Sequence, residues 1–302
     1  MTMWFRNLRI YRLAHSPGFT AASLDAQLSK RPLNRCGSFD MQSRGWVYPR
    51  QEGQFVHALH GQWLLALGVE QKLLPATVIR QVVQERAAAI EAEQGRKVGR
   101  KEQRDLRDRV TEELMPRAFT RRRTTWGWID PAHGWLVVDA GSDARADEFM
   151  EVLLATLDDL HPRAVQSRIA PSAAMTDWLV SGDGPGEFTL DSDLELRSAR
   201  NTQAVIRYVR HDLEGKEIRE HIASGKIATQ LGMTWNDRIS FILTDKLTAR
   251  RVSFLDILQD EAEKSAETAD EQFDVDFVLM SGELAKLLPD LLTALGGELK
   301  PE

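Results

Sequence analysis

The sequence predicts an α+β protein: two mixed α/β lobes with antiparallel sheets and an inserted helical-hairpin arm. Three observations carry this. Short β-like runs recur on both sides of a central helical stretch; that stretch holds two consecutive amphipathic patterns separated by glycines; and the chain ends in a long apolar helix. A chain of 302 residues suits two or three compact units, because single cores stop growing near roughly 250 to 300 residues. The N-terminal lobe is expected at 1–73 and 119–162, the arm at 74–118 and the C-terminal lobe at 163–302.

Residues 4–13 alternate well enough for a strand (Phe5, Leu8, Ile10, Tyr11, Leu13), and 19–28 follow as a short helix. The runs 55–59 and 63–69, joined by His60-Gly61-Gln62, fit a β-hairpin. Pro75 suits a first helical turn, where its missing N–H is harmless, and Val78, Ile79, Val82, Val83, Ala87 and Ile90 then continue one helical face. Gly95 and Gly99 interrupt the pattern. Leu106, Val110 and Leu114 resume it on a second helix that Pro116 ends. Narrow apolar stripes mark the pair as a projecting arm.

Strands at 125–129 and 135–139 return the chain to the lobe, with a helix at 143–157. After a polar, Pro- and Gly-containing tract (161–186) with a short helix at 172–180, strands are expected at 187–190, 204–209, 226–233, 238–243 and 249–254. So many short strands pair most naturally as antiparallel neighbours. A polar stretch at 256–271 precedes a helix over 273–295, which Gly296-Gly297 stops.

Charge is distributed unevenly. The net charge is −6, yet residues 74–123 carry 13 Lys or Arg against 8 Asp or Glu, while 256–302 carry 3 against 13. Screening confines each patch to about 8 Å at physiological salt, so a basic middle can attract phosphates on an anionic chain. The single cysteine, Cys36, cannot form an internal disulfide, the arginines of the first thirteen residues interrupt any secretory core, and no apolar run approaches the ~20 residues of a membrane span. A cytoplasmic protein with no membrane partner is the expectation.

Motifs for catalysis are sparse, and none calls for a cofactor. His57 and His60 have H-x-x-H spacing but point to opposite faces of a strand with no further ligand near, so they are expected as hairpin surface histidines. Cys36 has no nucleophile motif around it, and Gly182 to Gly186 lacks a phosphate-loop pattern. The sharpest enzymatic alternative is a Mg²⁺-dependent nuclease built on Asp191, Asp193, Glu214 and Lys216, two carboxylates holding the metal and the lysine steadying a water. Glu214 and Lys216 should then alternate on a strand, whereas the sequence there reads as a turn into a helix.

The basic residues form a different kind of constellation. Arg96, Lys97, Arg100, Lys101 and Arg104 cluster at the arm tip; Arg117, Arg121, Arg122 and Arg123 cluster where the arm rejoins the lobe; Arg207, Arg210, His211 and Lys226 add a second surface. A solvated face with i,i+4 ion pairs, such as Glu93/Lys97 and Asp105/Arg109, accounts for part of this charge. The run Arg121-Arg122-Arg123 has few acids close by in sequence, which favours phosphate contact. No aromatic ladder or recognition helix accompanies these cations, so any nucleic-acid binding should be phosphate-directed and sequence-independent.

Met3-Trp4-Phe5-Arg6-Asn7-Leu8 with Tyr11-Arg12-Leu13, Cys36-Gly37-Ser38 with Gly45-Trp46-Val47, Leu114-Met-Pro-Arg-Ala-Phe119, and Phe273-Asp274 through Met280-Ser-Gly-Glu-Leu284 together resemble the bacterial recombination-associated RdgC family. The resemblance spans 3–297. It implies a ring-shaped, nucleoid-associated homodimer enclosing double-stranded DNA with little sequence preference, restraining RecA-promoted strand exchange and modulating replication-fork repair, with no catalytic residues. It also implies that Phe119 supports ring closure. A Lys-Gln pair at another dimer contact of the family stands here as Arg210-His211, which keeps one cation and replaces an amide with a titratable ring.

Overall fold

The computed structural model describes residues 3–13, 18, 20–50, 53–157, 160–198, 204–264, 266 and 268–300. The chain runs β1 (Asn7–Leu13), α1 (Ala21–Leu28), β2 (Gln42–Val47), β3 (Val56–Leu59), β4 (Gln62–Leu73), α2 (Ala76–Gln94), α3 (Arg100–Leu114), β5 (Phe119–Asp130), β6 (Trp135–Val138), α4 (Asp143–Thr156), β7 (Pro162–Ala164), α5 (Pro171–Ser181), β8 (Phe188–Ser198), β9 (Val205–Tyr208), α6 (Lys216–Ala223), β10 (Lys226–Trp235), β11 (Ile239–Thr244), β12 (Thr248–Phe254), α7 (Asp256–Lys264) and α8 (Ala269–Ala294). Phe19, expected to open the first helix, lies outside the described residues; Thr20 caps that helix by accepting from Ser23 N.

The expected β-hairpin forms, with β3 antiparallel to β4. His60 and Gly61 take φ of 49° and 79° at its turn. Two successive positive φ values match the strands' own twist, and a glycine at the second position supports them at little cost. Asn236 and Asp237 (φ 49° and 51°) repeat the device between β10 and β11. Strand β2 was not legible, because only Trp46 and Val47 of its six residues are apolar. Gly45 is required in it: a Cβ there would lie 2.5 Å from the Pro32 carbonyl.

The two expected sheets are one. Among the described residues twelve strands join in the order β2-β4-β5-β6-β1-β12-β11-β10-β8-β9, with β3 on β4 and β7 on β1. Strand β1 is the seam: it pairs antiparallel with β6 of the first half and with β12 of the second, setting Asn7 opposite Arg250. A pairing between residues so far apart leaves no local signature, which is why the sequence shows two strand groups and not their fusion.

Strand alternation then divides the core by face. Leu8, Leu64, Trp128 and Val137 pack with Leu194, Leu231, Phe241 and Ala249 beneath α5, α6 and α8. Their neighbours Leu65, Ile129, Leu136 and Val138 face the other way and pack with Leu24 and Leu28 of α1 and Phe149 and Leu153 of α4. Helix α8 spans the seam. Its Phe273 lies 6.5 Å, centroid to centroid, from Trp126 on β5, and Asp290 near its far end accepts a 3.0 Å hydrogen bond from Trp235 on β10.

His57, expected on the surface, is instead held between Phe273 and Phe277 of α8, its side chain 14% exposed. Its Nε2 lies 3.0 Å from Asp274 Oδ1, but neither atom makes an aligned hydrogen bond. Burial pushes the imidazole below its ordinary 6.5, against the pull of Asp274 and with help from Arg50. The unfolded chain therefore binds this proton more readily, so His57 contributes stability above about pH 6.5 that is lost as pH falls below it. Chemical denaturation at pH 7.5 and 5.5 should show a fall in stability that is smaller in His57→Gln. An equal fall in both proteins would assign the effect elsewhere.

Candidate nucleic-acid interface

The arm folds as expected, α2 against α3 around Ile79, Val83, Ala87, Leu106 and Val110. Gly95, in the left-handed conformation at φ 65°, ends α2. The ion pairs that form are Arg96–Glu102, bidentate at 2.8 and 3.0 Å, and Arg86–Glu113 at 2.7 Å. They replace the expected pairs Glu93/Lys97 and Asp105/Arg109. Arg96 is thus paired with a carboxylate, whereas Lys97, Arg100 and Lys101 remain solvent-facing cations.

A cleft between the two arm helices gathers Arg100 and Arg104 with Arg80 and Arg107 over a floor of Ala76, Ile79 and Val83. Arg80 and Arg107 were not among the cations expected at the arm. Their signal was present, since 100, 104 and 107 follow the i, i+4, i+7 spacing of one helical face.

The run Arg121-Arg122-Arg123 requires correction. It lies in the lobe as expected, but on β5, which begins at Phe119 and not at residue 125. Its arginines alternate across the sheet and two find acids that are distant in sequence. Arg122 Nε donates to Glu70 directly opposite on β4, and Arg123 reaches Glu148 of α4 at 2.6 Å. Hydrogen bonds from Arg122 and from the Cys36 backbone hold Glu70 below the ordinary glutamate range. Arg117 and Arg121 are exposed. Cys36 Sγ donates to the Glu70 carbonyl at 3.0 Å, and burial followed by the charge of Glu70 raises its pKa, so it is a poor nucleophile.

Phe119 stands at the first position of β5 opposite Leu73 and is 83% exposed. It is no core aromatic in the single chain.

In the second half, the sheet face turned away from α8 carries no helix among the described residues and is polar. Buried Glu195 on β8 accepts from Arg197 Nε and Arg207 Nε, each at 2.8 Å, and from Thr229 Oγ1 at 2.9 Å. Burial opposes its ionisation, but these donors outweigh burial and keep it below the ordinary glutamate range. Glu195 therefore stays charged at neutral pH. Arg210 takes a positive φ of 52° and donates its backbone N–H to Asp193. His211 stacks on Tyr208 and pairs with Glu217 at 2.8 Å, and Lys226 Nζ donates to Ser224 at 3.0 Å.

The nuclease residues do not converge. Asp191 is occupied by Thr234, Asp193 by the Arg210 N–H, and Lys216 is the first residue of α6, with Glu214 in the turn before it. Asp191 and Glu214 line one shallow pocket without Asp193 or Lys216. Among the described residues no group of three His, Cys, Asp or Glu side chains could hold a metal ion. No helix among them is long and apolar enough to cross a membrane.

Comparison with known proteins agrees over the same span. A family model described as "Putative exonuclease, RdgC" matches residues 3–298. A "Recombination-associated protein RdgC" from Dechloromonas aromatica (strain RCB) is 54% identical over 299 residues, covering 98% of each chain. Proteins of the same description from Janthinobacterium sp. (strain Marseille) and Herminiimonas arsenicoxydans are each 49% identical, the first covering 99% of both chains and the second 98% of this chain and 99% of its own. Whole-length matches at this identity, over a fold with exposed arginines on its arm and on a bare sheet face, place the chain in the RdgC family.

Proposed function

We propose that this protein binds double-stranded DNA through its phosphates, without reading sequence, as a ring-shaped homodimer that restrains RecA-dependent strand exchange by occupying the duplex. One observation carries the reading: a chain of net charge −6 keeps exposed arginines in two separate places, the arm with its junction to β5 (Arg100, Arg104, Arg117, Arg121) and the sheet face that carries no helix among the described residues (Arg207). Membership of a family whose relatives are described as recombination-associated supplies the biological direction. The dimer closes in part at Phe119, with Arg210 and His211 at a second contact. Weak phosphate contacts suffice in such an assembly, because topology limits escape while each contact stays exchangeable. Association with the nucleoid follows from duplex binding.

The test is salt. Fluorescence anisotropy on random-sequence duplexes should give a log affinity that falls linearly with log salt concentration, with a slope of about 0.9 for every phosphate neutralised and several phosphates in all. Duplexes of different sequence should give the same line. A flat salt response, or strong preference for one sequence, would sink the proposal.

Cleavage is the second reading, favoured by the exonuclease wording of the family description. Asp191 and Glu214 share a pocket, but the turn and helix that hold Glu214 and Lys216 remove the strand alternation a two-carboxylate metal site would use. Plasmid incubated with the purified protein and Mg²⁺ or Mn²⁺ should remain intact. Nicking or end-degradation abolished by Asp191→Asn would establish the nuclease instead.

A further inference from the structure

The bare sheet face of the second half is built by irregularities that force polar side chains onto it. In β12, regular alternation after Ala249 would send Arg250 out, Arg251 into the core and Val252 out. The β11–β12 register instead shifts between Ser240 and Ile242, and Arg251 adopts a left-handed φ of 50°. Both arginines then line the open face, while Val252 and Phe254 return to the core. A second shift in β10, between Ala228 and Gln230, adds Thr229, which binds Glu195. Bulges re-aim side chains at the cost of local pairing, and an arginine held at positive φ is a strained choice with no packing return.

What the bulges assemble is a cleft in which Arg207, Arg250 and Arg251 meet. Arg250 Nε is buried and has no protein acceptor. Glu195, 3% exposed, takes the Nε of both Arg197 and Arg207, whose side chains stay 39% and 67% exposed. A carboxylate bound at Nε fixes each guanidinium plane and leaves its outer amino groups for a ligand. Asp193 is the other carboxylate lining this cleft, and it accepts the Arg210 backbone N–H, so the cations outnumber the acids.

We propose that this cleft is a preorganised phosphodiester site, with Arg207, Arg250 and Arg251 as phosphate ligands and Glu195 as the residue that positions Arg207 and Arg197. The site rests on the duplex-binding function proposed above and names where on the sheet that function is exercised. Guanidinium groups suit it because their planar donors match phosphate oxygens in pairs. A DNA backbone fits a shallow open face better than a free small anion would, since such a cleft cannot enclose its ligand.

Two variants test it on the full-length protein, with thermal melting to confirm folding. In Arg250→Gln/Arg251→Asn the asparagine tolerates the positive φ, so the bulge is retained. Its salt slope for random duplex should drop by up to about 2 units relative to the wild type, at about 0.9 per lost phosphate contact. Glu195→Gln separates positioning from simple charge. Removing an acid from a DNA-facing surface should strengthen binding, whereas loss of the clamp should weaken it several-fold with the slope unchanged. Wild-type slope and affinity in the arginine variant, or tighter binding by Glu195→Gln, would overturn the site while leaving duplex binding intact. Loss of the dimer by sedimentation in the arginine variant would reassign the face to a protein contact. A wild-type chain that bound no duplex would remove the proposed function and this site with it.

Discussion

Replacing Phe277 with alanine should lower the unfolding free energy by about 3–5 kcal/mol, the usual range for emptying a buried phenylalanine site. The side chain is fully buried in α8 and meets His57 edge-on at 5.6 Å between centroids. It belongs to the cluster that also contains Leu64 and Trp128 of the first half and Leu231 and Phe241 of the second. One cavity therefore weakens the cover of both halves. Chemical denaturation should show a single transition moved to lower denaturant with its slope retained. Two transitions, with only the first-half probe displaced, would mean that the halves unfold independently and that the β1–β12 seam is a weak joint.

The seam also marks the limit of what the sequence discloses. Periodicity placed both arm helices, α4, α5, α8 and the β3–β4 hairpin, because each is fixed by contacts within a few residues or by one apolar face. It missed β2, whose place depends on Gly45 fitting against the Pro32 backbone, and it missed the joining of β1 to β12. The candidate site divides in the same way. Arg100 and Arg104 were visible as a charged helix face, and Arg207 as a strand cation. Arg250 and Arg251 were not, because adjacent strand residues normally face opposite ways and only the bulge turns both outward. Arg122 and Arg123 looked unpaired for the converse reason, since Glu70 and Glu148 reach them across strands and from a helix.

Phe119→Ser should leave the single chain as stable as before, within about 0.5 kcal/mol, since exposed substitutions away from special features do little. That expectation follows from its 83% exposure and differs from what a core aromatic would give. In the homodimer proposed above, self-association should suffer instead. Burying a phenylalanine is worth about 1.5–3 kcal/mol, and a two-fold interface loses the residue from both copies. At about 1.4 kcal/mol per tenfold, the dimer dissociation constant should rise at least tenfold in sedimentation equilibrium. Leu73, also exposed and directly opposite on β4, would share the contact, so Leu73→Ser should act in the same direction with a smaller effect. If the dimer encloses DNA, Phe119→Ser should also dissociate faster from closed circular duplex at high salt, where phosphate contacts are screened and topology is the remaining restraint. On short linear duplex, whose ends let a ring slide off, wild type and variant should differ much less. An unchanged dimer with unchanged retention on circles would deny Phe119 any part in closure and leave its exposure unexplained.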